Sequence, residues 1–385
     1  MRRAVLALIL VAACGRDTTD GGAPSRQGEV GDQVRSDAVI DAGPTPPSGM
    51  IWIPAGTLRA GTPKNDVPRV ADEEMPGVDF QMHGFYIDTL PYPDETGAIP
   101  TSNVSRDEAE QMCAAKGKRL CTELEWERAC KGAANATYEY GNDYSQEKCG
   151  TGVSIDEAAR RPTGDHILCK SDFGVREMHG GPWEWTSSDW GRGHKESLGV
   201  LRGGNAVAGE LVGRCANALG RAPTTKSPTM SFRCCKGEVN EAKVDLVPTH
   251  GRALELQDKP DAARIGRMAR SIPGVTLPDT GKFFVTTAWT WRPAPNDTLV
   301  LASGCAAYER NVKPVGCALV AFRPDANPNA DVVLAGVAAD VGIGEMVVNG
   351  DARHIRVRGL LSQGGLYART VTYVYGRVVI GDMKR

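Results

Sequence analysis

Cysteine is the residue type with the widest chemical range in this chain, and eleven cysteines occur among its 385 residues. A cysteine thiolate can act as a nucleophile or bind a soft metal ion, and two cysteines can form a disulfide bond. Eleven would be many for a reducing cytosol, so the count indicates an exported protein in which most cysteines are paired. The sequence contains no zinc-type cysteine pattern, phosphate-binding glycine loop or nucleophile elbow.

The six histidines do not form a metal-binding pattern either. No pair has His-x-x-x-His spacing, which would place two imidazoles on one face of a helix. Ordinary surface or loop roles are therefore the favoured interpretation, although folding could still bring distant ligands together. These residues are His83, His166, His179, His194, His250 and His354.

The first residues are typical of an export signal. A basic pair, Arg2-Arg3, precedes an uncharged run of small and aliphatic residues at 4–13. That run is about half of the ~20 residues that a transmembrane helix needs. Val11-Ala12-Ala13-Cys14 resembles the lipobox of bacterial lipoproteins, whose cysteine sulfur receives a diacylglycerol and becomes the mature N-terminus. We therefore expect residues 1–14 to be a lipoprotein signal peptide, the alternative being an ordinary signal in which Cys14 is incidental.

A lipid anchor on Cys14 would hold the protein on a membrane of the bacterial cell envelope. Gly15 does not supply the aspartate commonly associated with inner-membrane retention, so we expect the outer membrane. Residues 15–48 are rich in Gly, Asp, Pro, Ser and Thr, and this composition predicts a flexible linker. A formal net charge of -2 provides no basic field for nucleic acid, so we expect no nucleic-acid partner.

The chain from residue 49 onwards has the patterns of folded structure. Short apolar runs at 50–54 and 85–88 predict strands. Ser105 with Glu108, and Thr122 with Glu125, each place a hydroxyl residue three positions before a glutamate. Both pairs predict a helix that begins with a capping box.

Beyond about residue 236 the pattern changes to short β-rich runs separated by Pro, Asn, Asp and Gly. It predicts a mostly β, sandwich-like domain at 274–385 and a connector at 238–273, in which Asp261 to Arg270 forms a short helix. The expected strands include the runs 283–285, 298–301, 317–320, 331–334, 354–357 and 370–374.

Eight short segments of this region share one order with the segments of a known family. They are Met50 to Gly56, Phe85 to Asp88, Gly117 to Glu127, Phe173 to Val175, Trp183 to Trp190, Leu201 to Gly204, Arg214 to Ala216 and Phe232 to Cys234. Together, over about 185 residues, they resemble the formylglycine-generating-enzyme (sulfatase-modifying factor) family, so we identify residues 49–237 as a domain of this type. The resemblance implies an α+β fold, a variant of the C-type-lectin-like fold with little regular secondary structure.

The resemblance also implies disulfide bonds. Four cysteines match the partners of the family's two structural bridges, Cys113 with Cys234 and Cys130 with Cys215. For the remaining cysteines of this domain we expect pairs between Cys121 and Cys235 and between Cys149 and Cys169. Cys305 and Cys317 lie between two expected strands of the C-terminal domain, where a hairpin bridge is the simplest use.

The family's oxidases bind copper(I) through two further cysteines just upstream of the Arg-Cys-Ala motif. The corresponding run here, Asn205 to Arg214, contains no cysteine. Soft thiolates suit copper(I), so their loss makes copper binding and oxidase activity unexpected. A second branch of the family binds non-haem iron through clustered histidines, for which this sequence has no local motif.

The resemblance implies one further metal site, for structural calcium beside the Trp-Glu-Trp motif. The matching positions are Glu177, Gly180, Pro182 and Glu184. Mixed carboxylate and carbonyl oxygens suit calcium, although Glu177 replaces the family's usual shorter side chain. The alternative is that Glu184 accepts backbone hydrogen bonds in a tight loop.

These observations favour a cell-envelope lipoprotein whose formylglycine-generating-enzyme-like domain is a non-catalytic binding or scaffold module. It would be attached to the membrane by its lipid and would bind an unidentified protein or glycan. The alternative is an active enzyme of the family, a formylglycine-generating oxidase or non-haem iron enzyme, with other metal ligands. A third interpretation is an envelope-structural role of the C-terminal domain alone.

Overall fold

In a computed structural model of the protein, the described residues are 45–193, 197–246, 253–309, 314–339, 347–350, 352–360 and 366–384. The predicted signal peptide at 1–14 and most of the predicted linker at 15–48 lie outside these ranges, as do His194 and His250. Within the described ranges, no helix combines the length and the apolar character needed to cross a membrane.

The N-terminal region, up to Lys236, mixes short strands with short helices and so has the expected α+β character. Its elements are β1 (Met50–Ile53), β2 (Gly56–Gly61), β3 (Pro76–Met82), β4 (Phe85–Asp88), α1 (Arg106–Ala115), β5 (Arg119–Leu120), α2 (Glu123–Lys131), α3 (Gln146–Cys149), α4 (Ile155–Ala158), β6 (Trp183–Asp189), β7 (Gly199–Gly203), α5 (Gly209–Val212), β8 (Ala218–Arg221), β9 (Met230–Phe232) and β10 (Cys234–Lys236). Its sheets have the orders β1-β4-β10-β5, β8-β7-β6-β9 and β2-β3.

Both longer helices of this region begin where the capping boxes predict. The Ser105 side chain accepts from the Glu108 amide and the Glu108 carboxylate accepts in return from the Ser105 amide. Thr122 and Glu125 make the same reciprocal pair at the start of α2. Each box satisfies two amide groups that the first helical turn would otherwise leave unpaired.

The adjacent cysteines of β10 form disulfide bonds on opposite faces of its sheet. Successive side chains of a strand point to opposite sides, so Cys234 and Cys235 enter different hydrophobic clusters. Cys234 is bonded to Cys113 in α1, and Cys235 to Cys121 just after β5. Because β10 lies between β4 and β5 in its sheet, the two bonds hold the centre of the N-terminal region.

Three further disulfides complete the pairings set out from the sequence. Cys130 in α2 is bonded to Cys215, 85 residues away. A bridge that closes a loop of this length stabilises a fold by ~4 to 5 kcal/mol in the chain-entropy model, which matters where regular structure is scarce. The two remaining bonds join Cys149 with Cys169 and Cys305 with Cys317.

The C-terminal region is a two-sheet sandwich. Its elements are β11 (Leu254–Leu256), α6 (Ala262–Arg270), β12 (Lys282–Ala294), β13 (Asp297–Ala307), β14 (Gly316–Arg323), β15 (Val332–Ala339), β16 (Val347–Gly350), β17 (His354–Leu360), β18 (Leu366–Val374) and β19 (Arg377–Ile380). Strands β11 to β15 form one antiparallel sheet and β16 to β19 the other. Trp291, Leu301, Val357 and Val371 meet between the sheets in one buried cluster.

Part of the segment predicted as a connector belongs to this sandwich. Strand β11 pairs with β12, and α6 packs its buried Ile265 and Ala269 on the outer face of the five-stranded sheet. Asp261 caps α6 by accepting from the Arg264 amide, as expected for a helix that starts there. The six β-rich runs noted in the sequence all lie on or overlap strands of the sandwich.

A buried charge cluster joins the sandwich to the loop between β2 and β3. The Asp297 carboxylate accepts from Arg323 at 2.9 and 3.1 Å, and Arg69 of the loop lies 3.5 Å from it. The Tyr373 hydroxyl donates to the same carboxylate. Burial first, and then the Asp297 charge, raise the pKa of Tyr373, so this phenol stays neutral. One carboxylate therefore neutralises two buried arginines.

Replacing that carboxylate should be costly. Asp297→Ala leaves Arg69 and Arg323 buried without their counter-charge, and we expect a loss of about 3 to 5 kcal/mol in the free energy of unfolding. Exposed Asp279 supplies the matched control, since Asp279→Ala should change stability by less than about 0.5 kcal/mol. Urea denaturation of both variants checks this, and equal midpoints would show that the cluster does not stabilise the junction.

Candidate functional site

The run that replaces the copper-binding cysteines is built into the fold around Asn205. The buried Asn205 amide donates to the Gly150 and Gly180 carbonyls, and its oxygen accepts from the Gly152 amide at 2.9 Å. Helix α5 follows at once, and a Cβ on Gly209 would lie 2.3 Å from the Tyr144 hydroxyl. The glycine therefore lets α5 lie against the segment that carries Tyr144.

This run lines a cleft with a volume of about 630 Å³. One wall is the run itself, from Val207 to Leu211. The opposite wall is the hairpin formed by β18 and β19. Pro68, Tyr144, Gln146 and Gly152 complete the lining.

The hairpin wall is fixed by its own turn and by the β2–β3 loop. Tyr375 and Gly376 have φ values of 49° and 83°, the paired left-handed residues of a tight two-residue hairpin turn. The Tyr375 carbonyl accepts from the Arg69 amide at 3.0 Å. A Cβ on Gly376 would lie 3.2 Å from Val67, so the loop packs closely on the turn.

A buried ion pair fixes the other wall to the same loop. The Arg214 guanidinium donates to both carboxylate oxygens of Glu74, at 2.8 and 2.6 Å, and to Thr62 at 3.1 Å. Burial alone would raise the pKa of Glu74, but Arg214 lowers it below its ordinary value. Arg214 also donates to the Leu211 carbonyl at the end of α5. The loop thus holds both walls of the cleft.

The groups that line the cleft are poor candidates for chemistry. Among the described lining residues there is no thiol or imidazole, and the charged side chains are Glu210 and Arg377. Tyr144 belongs to an aromatic cluster with Tyr138 and Tyr140. Burial raises the pKa of Tyr138 to about 12, so its hydroxyl is a neutral donor, here to the Glu210 carbonyl. Phenol donors and apolar side chains can bind a ligand but do not activate oxygen.

The Glu184 carboxylate, which was expected to bind calcium, forms an ion pair with Arg233. Glu184 accepts from Arg233 at 2.6 and 2.8 Å and from the Trp126 indole at 2.7 Å. Burial would lower the pKa of Arg233, but Glu184 raises it, so the guanidinium stays charged. The partners of Glu184 are therefore side chains, and not the backbone amides considered above.

The other expected calcium ligands are hydrogen-bonded within the protein or buried. The Glu177 carboxylate accepts from the Gly164 amide at 2.8 Å, and its backbone carbonyl accepts from Arg233 at 3.1 Å. The Gly180 carbonyl accepts from Asn205, and Pro182 is buried beside the strand that carries Glu184. A calcium ion would have to displace Arg233 from its carboxylate partner, so this arrangement does not fit calcium.

Glu139 and His179 form a buried carboxylate–imidazole pair, so His179 does not have the ordinary surface or loop role expected from the sequence, and Glu139 was not singled out there. Glu139 accepts from the backbone amides of Met178 and His179 and lies 3.3 Å from the His179 ring. Cys149 and Cys169 are close to Glu139, but they are bonded to each other and offer no thiolate to a metal. The His179 ring also packs edge-on against Trp126. This pair links the Tyr138 segment to the start of β6.

Glu123 and Glu125, in the first turn of α2, both accept hydrogen bonds from arginines. Glu123 accepts from Arg192 and Arg202 at 2.8 to 3.0 Å, with all three side chains buried. Glu125 accepts from Arg119 at 2.7 and 2.9 Å. Arg192 and Arg202 lie 69 and 79 residues from Glu123, so no local signal in the sequence could have identified those two pairs.

Comparisons with known proteins find relatives of the N-terminal region. A family model described as "Sulfatase-modifying factor enzyme 1-like domain" matches residues 91–237. The chain is 28% identical over 153 residues to the inactive Cα-formylglycine-generating enzyme 2 of Bos taurus, covering 36% of this chain and 50% of that protein. It is 25% identical over 178 residues to the formylglycine-generating enzyme of Bos taurus, covering 40% and 46%.

A third relative comes from another branch. Hercynine oxygenase of Mycolicibacterium smegmatis is 36% identical over 98 residues, which cover 24% of this chain and 22% of that enzyme. The chain thus spans half or less of the length of these relatives. Among solved structures, PvdO from Pseudomonas aeruginosa is 21% identical with a TM-score of 0.38, covering 48% of this chain and 93% of that one.

The family model covers the capping-box helices, four of the five disulfides, the Trp-Glu-Trp strand and the Arg-Cys-Ala segment. Its relatives include both active enzymes and inactive proteins, so the match defines the domain without assigning an activity. Residues 91–237 of this chain are therefore a domain of the sulfatase-modifying factor enzyme 1-like family.

Proposed function

We propose that the protein is a cell-envelope lipoprotein whose sulfatase-modifying-factor-like domain is a non-catalytic binding module. The observation that carries this proposal is the wall of the cleft formed by Val207 to Leu211. In the family's oxidases this run supplies the copper-binding thiols. Here it supplies apolar side chains, a glycine and a glutamate.

The exposure of apolar side chains supports a binding role for this cleft. Thirteen large hydrophobic side chains are exposed in the described part of the chain, and four of them line this one cleft. Val207 is 79% exposed and Val379 55%. Clustered apolar exposure with polar groups at its edge marks interaction sites, whereas scattered single residues do not. The ligand would be an apolar or aromatic segment of a protein, or a glycan face that packs on tyrosine.

The inactive relative gives independent support. The formylglycine-generating enzyme 2 of Bos taurus is called inactive, so this type of domain occurs without the activity. The engaged state of Glu184 and Glu177 also favours a module that needs no calcium.

Absence of oxidase activity is the first expected result. We expect the purified full chain, incubated with copper(I), oxygen and a sulfatase-type cysteine peptide, to form no aldehyde, because no thiol pair lies in the run from Asn205 to Arg214. Mass spectrometry of the peptide measures this, with an active formylglycine-generating enzyme as the positive control. Conversion of the peptide by this chain would contradict the proposal and favour an enzyme with other metal ligands.

The cleft should bind an apolar probe. We expect anilinonaphthalene sulfonate to gain fluorescence with the wild type and to lose most of that gain with Val207→Asp, which places a charge on the apolar wall. Ile167→Asp is the matched control because Ile167 is 69% exposed and lies outside the cleft. Equal fluorescence of the two variants would exclude the cleft as the apolar site.

Lipidation of Cys14 is the third expectation. Radiolabelled fatty acid should be incorporated into the wild type in a bacterial host and not into Cys14→Ser, because the sulfur is the acceptor. Gel autoradiography of immunoprecipitated protein reads this out, and Cys149→Ser/Cys169→Ser, which removes two other cysteines, should label like the wild type. Labelling of Cys14→Ser at the wild-type level would rule out this anchor.

A further inference from the structure

The outer face of the sheet β16 to β19 carries a second cleft, remote in the sheet from the hairpin turn. It has a volume of about 350 Å³. Ile355, Val357 and Val371 of this sheet are buried in the sandwich core. By strand alternation, Arg356, Arg358 and Thr370 point to the opposite, outer face.

Small residues form the floor of the cleft, and cationic residues lie on both sides of it. Arg356 lies opposite Thr370, and Arg358 lies opposite Ala368. On the far side, Lys384 pairs with Ala368 through an isolated bridge. The short side chains of Ala368 and Thr370 therefore separate the two arginines of β17 from Lys384.

The charge of this cleft contrasts with that of the chain. The cationic side chains on its outer face are Arg356, Arg358 and Lys384, against one carboxylate, Asp382, a surplus of two positive charges in a chain whose formal net charge is -2. Arg369 also lines the cleft, but by strand alternation its side chain points to the other face of β18, and its guanidinium donates to the Gly381 carbonyl at 3.1 Å.

Several other arginines of this protein are paired with carboxylates. Arg202, Arg214, Arg233 and Arg323 all form short buried ion pairs, and exposed Arg59 is paired as well. Arg356 and Arg358 have no hydrogen-bonded or ion-paired partner among the described residues. Two adjacent unpaired guanidinium groups repel each other, so their placement side by side favours an anionic ligand.

The spacing of the arginines selects the kind of anion. Residues two apart on a strand lie about 7 Å apart, so both guanidinium forks can converge on one group between them. A carboxylate has two oxygens and satisfies one fork, whereas a phosphate has enough oxygens for two forks and an ammonium. We propose that Arg356, Arg358 and Lys384 form a binding site for a phosphate group, either free or on a lipid headgroup.

This site does not depend on the proposed role of the Val207 cleft or on lipidation of Cys14. The test uses the full chain in a Cys14→Ser background, so that no lipid anchor contributes to membrane binding. Arg356→Gln/Arg358→Gln removes both guanidinium groups from exposed positions, where little effect on folding is expected. Arg160→Gln/Arg267→Gln is the matched control, because both arginines are exposed and lie outside the cleft.

Isothermal titration with inorganic phosphate is the first arm, and co-sedimentation with phosphatidylcholine vesicles, with or without phosphatidylglycerol, is the second. We expect binding to weaken on the order of tenfold or more in Arg356→Gln/Arg358→Gln and to stay near wild type in the control variant.

Loss of binding in both arms, or in the titration alone, identifies the phosphate group itself as the ligand. Loss only with phosphatidylglycerol vesicles identifies the lipid headgroup. If the two double variants bind equally in both arms, or if the wild type binds in neither, the proposal is wrong.

Discussion

Buried pairs of guanidinium and carboxylate groups are the constraint on which the rest of this structure depends. Arg69, Arg202, Arg214 and Arg233 are each at most 1% exposed. Removing such a charge from water costs several kcal/mol, so each is tolerable only where the fold delivers a carboxylate to it. In a domain with little regular secondary structure, this requirement and the disulfides together disfavour alternative packings.

The ion pairs also make the stability of the fold dependent on pH. Because Arg214 lowers the pKa of Glu74, that contribution to stability is present above the ordinary glutamate pKa and is lost as pH falls through the lowered value.

The same pairs determine where a ligand can bind. The β2–β3 loop reaches α5 through Glu74 and Arg214, and it reaches the sandwich through Arg69 and Asp297. One loop therefore positions both walls of the cleft that contains Val207. The C-terminal sandwich is thus part of the site, which the family resemblance alone does not imply. The run from Val207 to Leu211 contains no thiol and faces an apolar wall supplied by a neighbouring region, and clustered apolar exposure of this kind suits a binding surface.

Local patterns in the sequence predicted the features that depend on interactions between residues close together in the chain. The capping boxes at Ser105 and Thr122 and the β-rich runs of the sandwich require only short-range information, and the resemblance supplied the cysteine partners. The ion pairs were not predictable, because a glutamate such as Glu123 has the same sequence signature whether it caps a helix in water or meets Arg192 and Arg202 in the interior. Strand β11 was missed for a related reason. Its three residues form a strand only because β12 offers them an edge.

The pairing of charges also explains why the outer face of the sandwich is informative. A surface arginine is usually solvated and needs no explanation. In this protein, however, most buried arginines and several surface arginines meet a carboxylate, whereas Arg356 and Arg358 are adjacent and have no such partner among the described residues. They lie on the sheet whose other end forms a wall of the Val207 cleft, and Val374 of that wall is six positions after Ala368 on β18. At about 3.4 Å per residue, Ala368 and Val374 are roughly 20 Å apart along the strand. The two clefts share no lining residue, so a phosphate group and an apolar ligand can be bound by one sheet without competing for the same side chains.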